Sequence, residues 1–313
     1  MGTYEFLIFV VVFTVLIMSV KRYKRKPRLA LPNPGGEVSL IMGATARQCP
    51  FVSLFYHLRI TPSRISMRCI LLACFQDLYG GTTMKQFLDQ LAVPHGDWTA
   101  LFSACLGKMI SVQQACAEYV VKNEDWNVDL ERGVISFGTR EYPLQFIGSE
   151  SASSGTWLWG WENINDFPEK IIRLARETRE FGEAQQIDAL TTDEFNLNDT
   201  YNGHNLSIVT CGLADGYAYY RCPHNGGAFF VGISHVPDAV FDPIDFPRFI
   251  STVSQCIQQF DVDHRLLVEG FLRWNQTPYE RHGSRITAHF TQDLIIAFED
   301  VDGAQRISTM RSI

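Results

Sequence analysis

Trp157, Trp159 and Trp161 recur at every second position and are followed at once by Glu162. On a β-strand the three indoles would share one face, and a row of rings can act as a platform for a sugar, a base or a peptide. Glu162, at the strand's end, would then project toward the ligand. The competing reading is packing, because a sheet with one covered face needs bulky side chains there, and Leu158 and Gly160 between the indoles are themselves apolar or small. Core packing is the better account of the tryptophans, and the start of a turn is the better account of Glu162. Cys211, Cys222, His204 and His224 are metal-type ligands, but their spacing fits neither paired zinc pattern. His264, His282 and His289, with Asp263 and Glu280, fall in strand-rich text where a solvent-facing imidazole is the default.

Nucleophilic catalysis would need a G-x-S-x-G elbow or a Cys and His signature, and neither is present; Gly43 to Arg47 is not followed by the GK[ST] of a phosphate loop. No catalytic residue, metal site or cofactor is therefore assigned. The net charge of −7 argues against a general nucleic-acid partner, since phosphate neutralisation needs a basic face. The eight cysteines include no CxxC pair, and several sit in apolar helical text, so they read as buried thiols of a reducing compartment.

The elements that must position these residues follow from periodicity. Hydrophobic content of 46% over 313 residues is ample for a core. Trp98 to Val121 reads as a long helix with Leu101, Cys105, Met109, Val112, Cys116 and Tyr119 on one stripe. Residues 126–130, 134–137, 142–149 and 156–161 are short β-rich runs parted by turn text, and Phe167 to Ile187 is an amphipathic helix. A helix at 199–213 precedes a hairpin of 217–222 with 228–234, and a helix at 246–260 precedes strands at 266–274, 285–290 and 293–299. The predicted fold is α+β, an antiparallel β-meander sheet covered by helices and preceded by a single N-terminal transmembrane helix.

That helix is Tyr4 to Val20, almost continuously apolar and about 25 Å long at ~1.5 Å per residue, enough for a thin bilayer. Lys21, Arg22, Lys24, Arg25, Lys26 and Arg28 follow it, so the positive-inside rule leaves the body in the cytoplasm. A signal peptide would carry its charges before the apolar run and small residues at the cut; a start codon assigned too far upstream is the other alternative. The organisation expected is an anchor with basic flank at 1–28, a Pro- and Gly-rich linker at 29–36, a helical segment at 37–94, an α+β domain at 95–235 and a helix plus strands at 236–313. Three N-x-[ST] sequons, at Asn198, Asn205 and Asn275, matter only for an extracellular body.

The run DWNVDLERGVISF (125–137), then LQFIGSESASSGTWLWGWEN (144–163), IIRLARETREFGE (171–183) and GLADGYAYYRCPHNGGAFFVGI (212–233) together resemble a bacterial family of unknown function. The resemblance covers roughly residues 98–234, with the tryptophan box as its most specific part. It implies an α+β domain and a bacterial source, and it brings no assigned activity.

The functional expectation is a non-catalytic binding or interaction module, immunity- or adaptor-like, held at the bacterial inner membrane and facing a protein partner or small ligand. A hydrolase or nucleotide-handling enzyme centred on Glu162, His204 and His224 is the alternative. Deleting residues 1–28 should release a soluble, folded body; sedimentation of the truncated, unaggregated protein with membranes would defeat the single-anchor reading.

Overall fold

The structure, a computed structural model, describes residues 91 and 93–313. The expected membrane span, the linker and the helices read at 63–79 and 83–91 lie outside the described residues, apart from Leu91. Among the described residues no helix is long and apolar enough to cross a membrane.

The architecture is α+β, with two antiparallel sheets and the helices between and around them. Helix α1 (Trp98–Cys116) begins at Asp97, whose carboxylate accepts the Ala100 N–H at 2.9 Å. Four strands follow: β1 (Trp126–Asp129), β2 (Val134–Phe137), β3 (Arg140–Ser151) and β4 (Thr156–Trp159). Helix α2 (Glu169–Gln185), the short α3 (Asp188–Thr191), β5 (Glu194–Asn196) and α4 (Gly203–Leu213) come next. The hairpin β6 (Ala218–His224) and β7 (Gly227–Ile233) completes the first sheet. Its meander runs β1-β2-β3-β4-β5, and β7 joins it by pairing with β3 from Leu144 to Ser151. Strand β3 is long enough to pair with β2 through residues 140–143 and with β4 through residues 148–151. Trp126 and Phe137 pack edge-on against Tyr220, which brings the β1–β2 hairpin onto β6.

Helices α5 (Phe246–Gln259) and α6 (His264–Trp274) lead into a second meander of β8 (Tyr279–His282), β9 (Arg285–His289), β10 (Asp293–Val301) and β11 (Ala304–Ser312). Residues 266–274, read from sequence as a strand, belong to helix α6. Their buried positions Leu267, Val268, Phe271 and Leu272 recur with helical spacing, and Asp263 caps the start by accepting the Leu266 N–H at 2.8 Å. Strand β11 was missed despite Asp302-Gly303, both at positive φ, the pair that a tight hairpin turn demands.

Helix α1 is the shared element. Every residue from Ala100 to Met109 is buried, so all of its faces are covered there rather than one stripe. Close approach requires small residues. A Cβ on Gly270 of α6 would lie 2.2 Å from the Ala104 carbonyl, one on Gly107 would lie 2.7 Å from the Phe271 side chain, and one on Gly212 of α4 would lie 2.6 Å from Cys105. Lys108, also buried, donates to the carbonyls of Gly212 at 2.9 Å and Ala214 at 2.8 Å, and so supplies a cation to the C-terminal end of α4. Gln113 donates to the Tyr219 carbonyl at 2.9 Å and accepts the Tyr219 N–H at 3.0 Å, sealing the outer edge of β6 as a neighbouring strand would.

The last turn of α1 widens into a π-turn, Ala117–Val121. The extra residue breaks the expected stripe: Val120 takes the buried place, and Tyr119 emerges as one of the exposed large hydrophobics, at 36%. Arg140 closes this turn by donating to the carbonyls of Tyr119 and Val120 at 3.0 and 2.9 Å.

Intrinsic helix propensity favours alanine over glycine by about 1 kcal/mol. Gly270→Ala should nevertheless destabilise the protein, by about 1–3 kcal/mol in urea unfolding, because the new methyl group meets backbone rather than a movable side chain.

Candidate functional site

The tryptophan row ends with the strand. Trp157 and Trp159 lie on β4, and Trp161 follows in the turn. Trp157 and Trp159 are fully buried and meet edge-to-face at 5.4 Å, and Trp157 meets Phe230 of β7 in the same way at 5.6 Å. Gly148 makes room for the first indole, since a Cβ there would lie 2.3 Å from the Trp157 ring. The Trp159 indole N–H donates to the Ala189 carbonyl of α3 at 2.9 Å. Trp161 is buried as well, with the Arg179 guanidinium of α2 over its ring at 4.3 Å. The side chains nominated as a platform are thus enclosed by their own chain, while Glu162 is exposed in the turn after them.

His204 and His224 do not meet in a shared site with Glu162. His224 stacks on Phe229 at 5.8 Å and accepts the Gly226 N–H, inside the β6–β7 turn. His204, in the first turn of α4, packs edge-on against Phe230 and places Nδ1 3.2 Å from the Tyr219 hydroxyl. Burial by these neighbours lowers its pKa below the ordinary histidine value; Glu150 opposes that shift and Arg221 adds to it. The imidazole is therefore neutral at pH 7. Glu150 was not singled out in the sequence. One of its oxygens accepts the Gly203 N–H at 2.7 Å, at the positive end of α4, and the other faces Arg221 Nε at 3.7 Å. A Cβ on Gly203 would overlap Phe230 and crowd Glu150, so glycine is what lets α4 come this close. The signal that could have found this group is the Glu150, Ser151 end of a strand followed by an Asn-Gly helix start at Asn202-Gly203.

Metal-type ligands do not converge: among the described residues no group of three or more His, Cys, Asp or Glu could hold an ion. Cys211 and Cys222 are buried, and burial raises both thiols, that of Cys222 to about 12. The tail histidines act separately, His289 with Asp293 at 2.8 Å, His282 with Glu280 at 3.1 Å, and His264 at the start of α6. Two sequon asparagines are spent on backbone: Asn205 donates to the Asp199 and Thr200 carbonyls, and Asn275 to that of Ile244. Both side chains are buried.

A concave feature lies elsewhere. A cleft of about 430 Å³ opens between the end of α1 with its π-turn and the start of α5, a volume in the range of small-ligand sites. Glu118 and Tyr119 line it from the π-turn, Asp242 from the loop before α5, and Arg248 and Ser251 from α5. The Arg248 backbone N–H is taken by Asp245, while its guanidinium makes no hydrogen bond or ion pair among the described residues. This arrangement offers hydrogen bonds, charges of both signs and an aromatic rim.

Residues 99–236 match a family described as "Family of unknown function (DUF6882)". No curated protein and no solved structure matches the chain. The Glu150 and His204 group lies wholly within the matched segment, whereas the α5 wall of the cleft lies beyond it.

Trp159→Ala should lower stability by about 3–5 kcal/mol in urea unfolding, as expected of a large ring removed from a packed interior. A variant of unchanged stability would contradict the burial described.

Proposed function

We propose that this chain, whose matched segment brings no assigned activity, is a non-catalytic binding module that receives a small ligand or a segment of a partner protein in the cleft between α1 and α5. The observation that carries this reading is the contrast between the two polar regions. At the Glu150 group every candidate acid or base is already held, Glu150 by Gly203 and Arg221, and His204 by Tyr219. In the cleft, Arg248, Glu118 and Asp242 stand on concave ground beside an exposed tyrosine. The π-turn adds to the argument, because such turns distort a helix at some expense and recur at functional sites.

The membrane is the setting proposed for this module. The apolar run 4–20 and its basic flank favour a single-pass anchor in a bacterial inner membrane, with the body on the cytoplasmic side. The five described cysteines, all buried free thiols, suit that reducing side. An adaptor or immunity-like role, in which the body masks another protein, is consistent with this placement and rests on analogy.

One observation favours a catalytic alternative, a hydrolase or nucleotide-handling enzyme: His204 is only partly covered, and its neutral imidazole stands near Glu150 and Arg221. The two readings separate experimentally. A photo-crosslinking amino acid at Tyr119 should yield a discrete adduct in cells that Arg248→Glu abolishes, while the same probe at exposed Arg176 should not. Purified protein should leave chromogenic esters, phosphomonoesters and nucleoside triphosphates unchanged. Turnover that is lost in His204→Ala would replace the binding reading with the enzymatic one.

A further inference from the structure

Strand β11 has β10 on one side, and the first part of its other edge is held by the loop between α5 and α6. The Gln305 N–H is donated to Asp263 Oδ2 at 3.3 Å, and the Ile307 N–H to His264 Nδ1 at 3.0 Å. Between them Arg306 donates to the Val262 carbonyl at 2.7 Å and pairs with Asp261. On its opposite side the loop is held by α1, where Ser103 Oγ accepts the Asp263 N–H at 3.0 Å. Residues 261–264 are therefore clamped between the second sheet and the central helix.

His264 can serve in this clamp in one protonation state only. Nδ1 must be an acceptor to take the Ile307 N–H, so the neutral ring carries its proton on Nε2. Protonation would set an N–H against an N–H. It would also put a cation 3.4 Å from Arg306 Nη1 and in the first turn of α6, at the helix's positive end. The charged groups facing the ring are Arg306 from β11, Asp263 from its own cap and Asp261 from the loop.

We propose that His264 is a proton-operated latch: neutral, it holds β11 against the α5–α6 loop, and protonated, it lets residues 304–307 go. Burial, then Arg306, hold its pKa below the ordinary histidine value, against Asp263 and Asp261. With the folded pKa below the unfolded one, the contact contributes fully above about pH 6.5 and is lost as pH falls toward the folded-state value. The loop belongs to the same helix pair whose other end walls the cleft, so acidification would loosen the support of α5.

Hydrogen exchange of the full chain tests this between pH 7.5 and 5, read on peptides covering residues 304–312. His264→Asn is the reference at each pH, because its amide oxygen can accept the same N–H without titrating. The wild-type to variant ratio of exchange rates should stay near one at pH 7.5 and rise severalfold by pH 5, within the limit of about thirtyfold that one proton per unit of pH sets below about pH 6.5. A ratio that stays near one throughout overturns the latch. Arg306→Gln keeps a donor for Val262 and removes the cation, so the release midpoint should move to higher pH; a midpoint that stays in place also overturns it.

Discussion

A helix covered on every face from Ala100 to Met109 dictates the form of this protein. Helix α1 is covered by α4 on one side and by α6 on another, and both can approach only because glycine stands at the contacts, Gly212 against Cys105 and Gly270 against Ala104. Helix α4 packs on the first sheet and α6 on the second, so the packing of both sheets meets at one rod. Close packing of this kind leaves no slack for an added methylene. It also places a lysine indoors, and Lys108 is tolerated there because the end of α4 presents unpaired carbonyls to its ammonium.

Polar side chains elsewhere in the interior work in the same manner. Gln113 completes the edge of β6. Gln145 reaches from β3 into α2, donating to the Lys170 carbonyl at 2.8 Å and accepting the Leu174 N–H at 3.1 Å, two groups that a regular helix would pair with each other. Glu150 fills the positive end of α4. Glu269 of α6, buried, pairs with Arg281 of β8 across the second sheet's cover. Buried polar groups cost stability unless they are paired, and Lys108, Gln113, Gln145 and Glu150 find their partners at helix ends and strand edges. That assignment ties up residues which in isolation resemble acids, bases or ligands.

Much of the first sheet was legible in the sequence because its strands alternate cleanly between short turn signals, and α2 because its apolar stripe repeats at helical spacing. The second half was harder to read. LLVEGFLRW in α6 is rich in apolar and aromatic residues that suit a strand equally well, and only the cap at Asp263 tips the balance. Tyr119 could not be placed, since a π-turn leaves no mark in periodicity. The Glu150 group joins β3, α4 and β6, which are far apart along the chain, so the Asn202-Gly203 helix start marks a cap without naming the carboxylate that fills it. The cleft is a gap between α1 and α5, elements separated by the whole first sheet, and its partnership is a fact of tertiary structure alone.

The crossing of α1 with α6 has a consequence for biosynthesis. Ser103 and Asp263, which meet at this junction, stand 160 residues apart. At about 5–20 residues per second, an apolar rod leaves the ribosome some 8–30 s before the segment that covers its far side has been made. During that interval α4 and the first sheet can shelter one flank only. The nascent chain thus carries a greasy surface while those 160 residues are made, the interval in which a chaperone would find it.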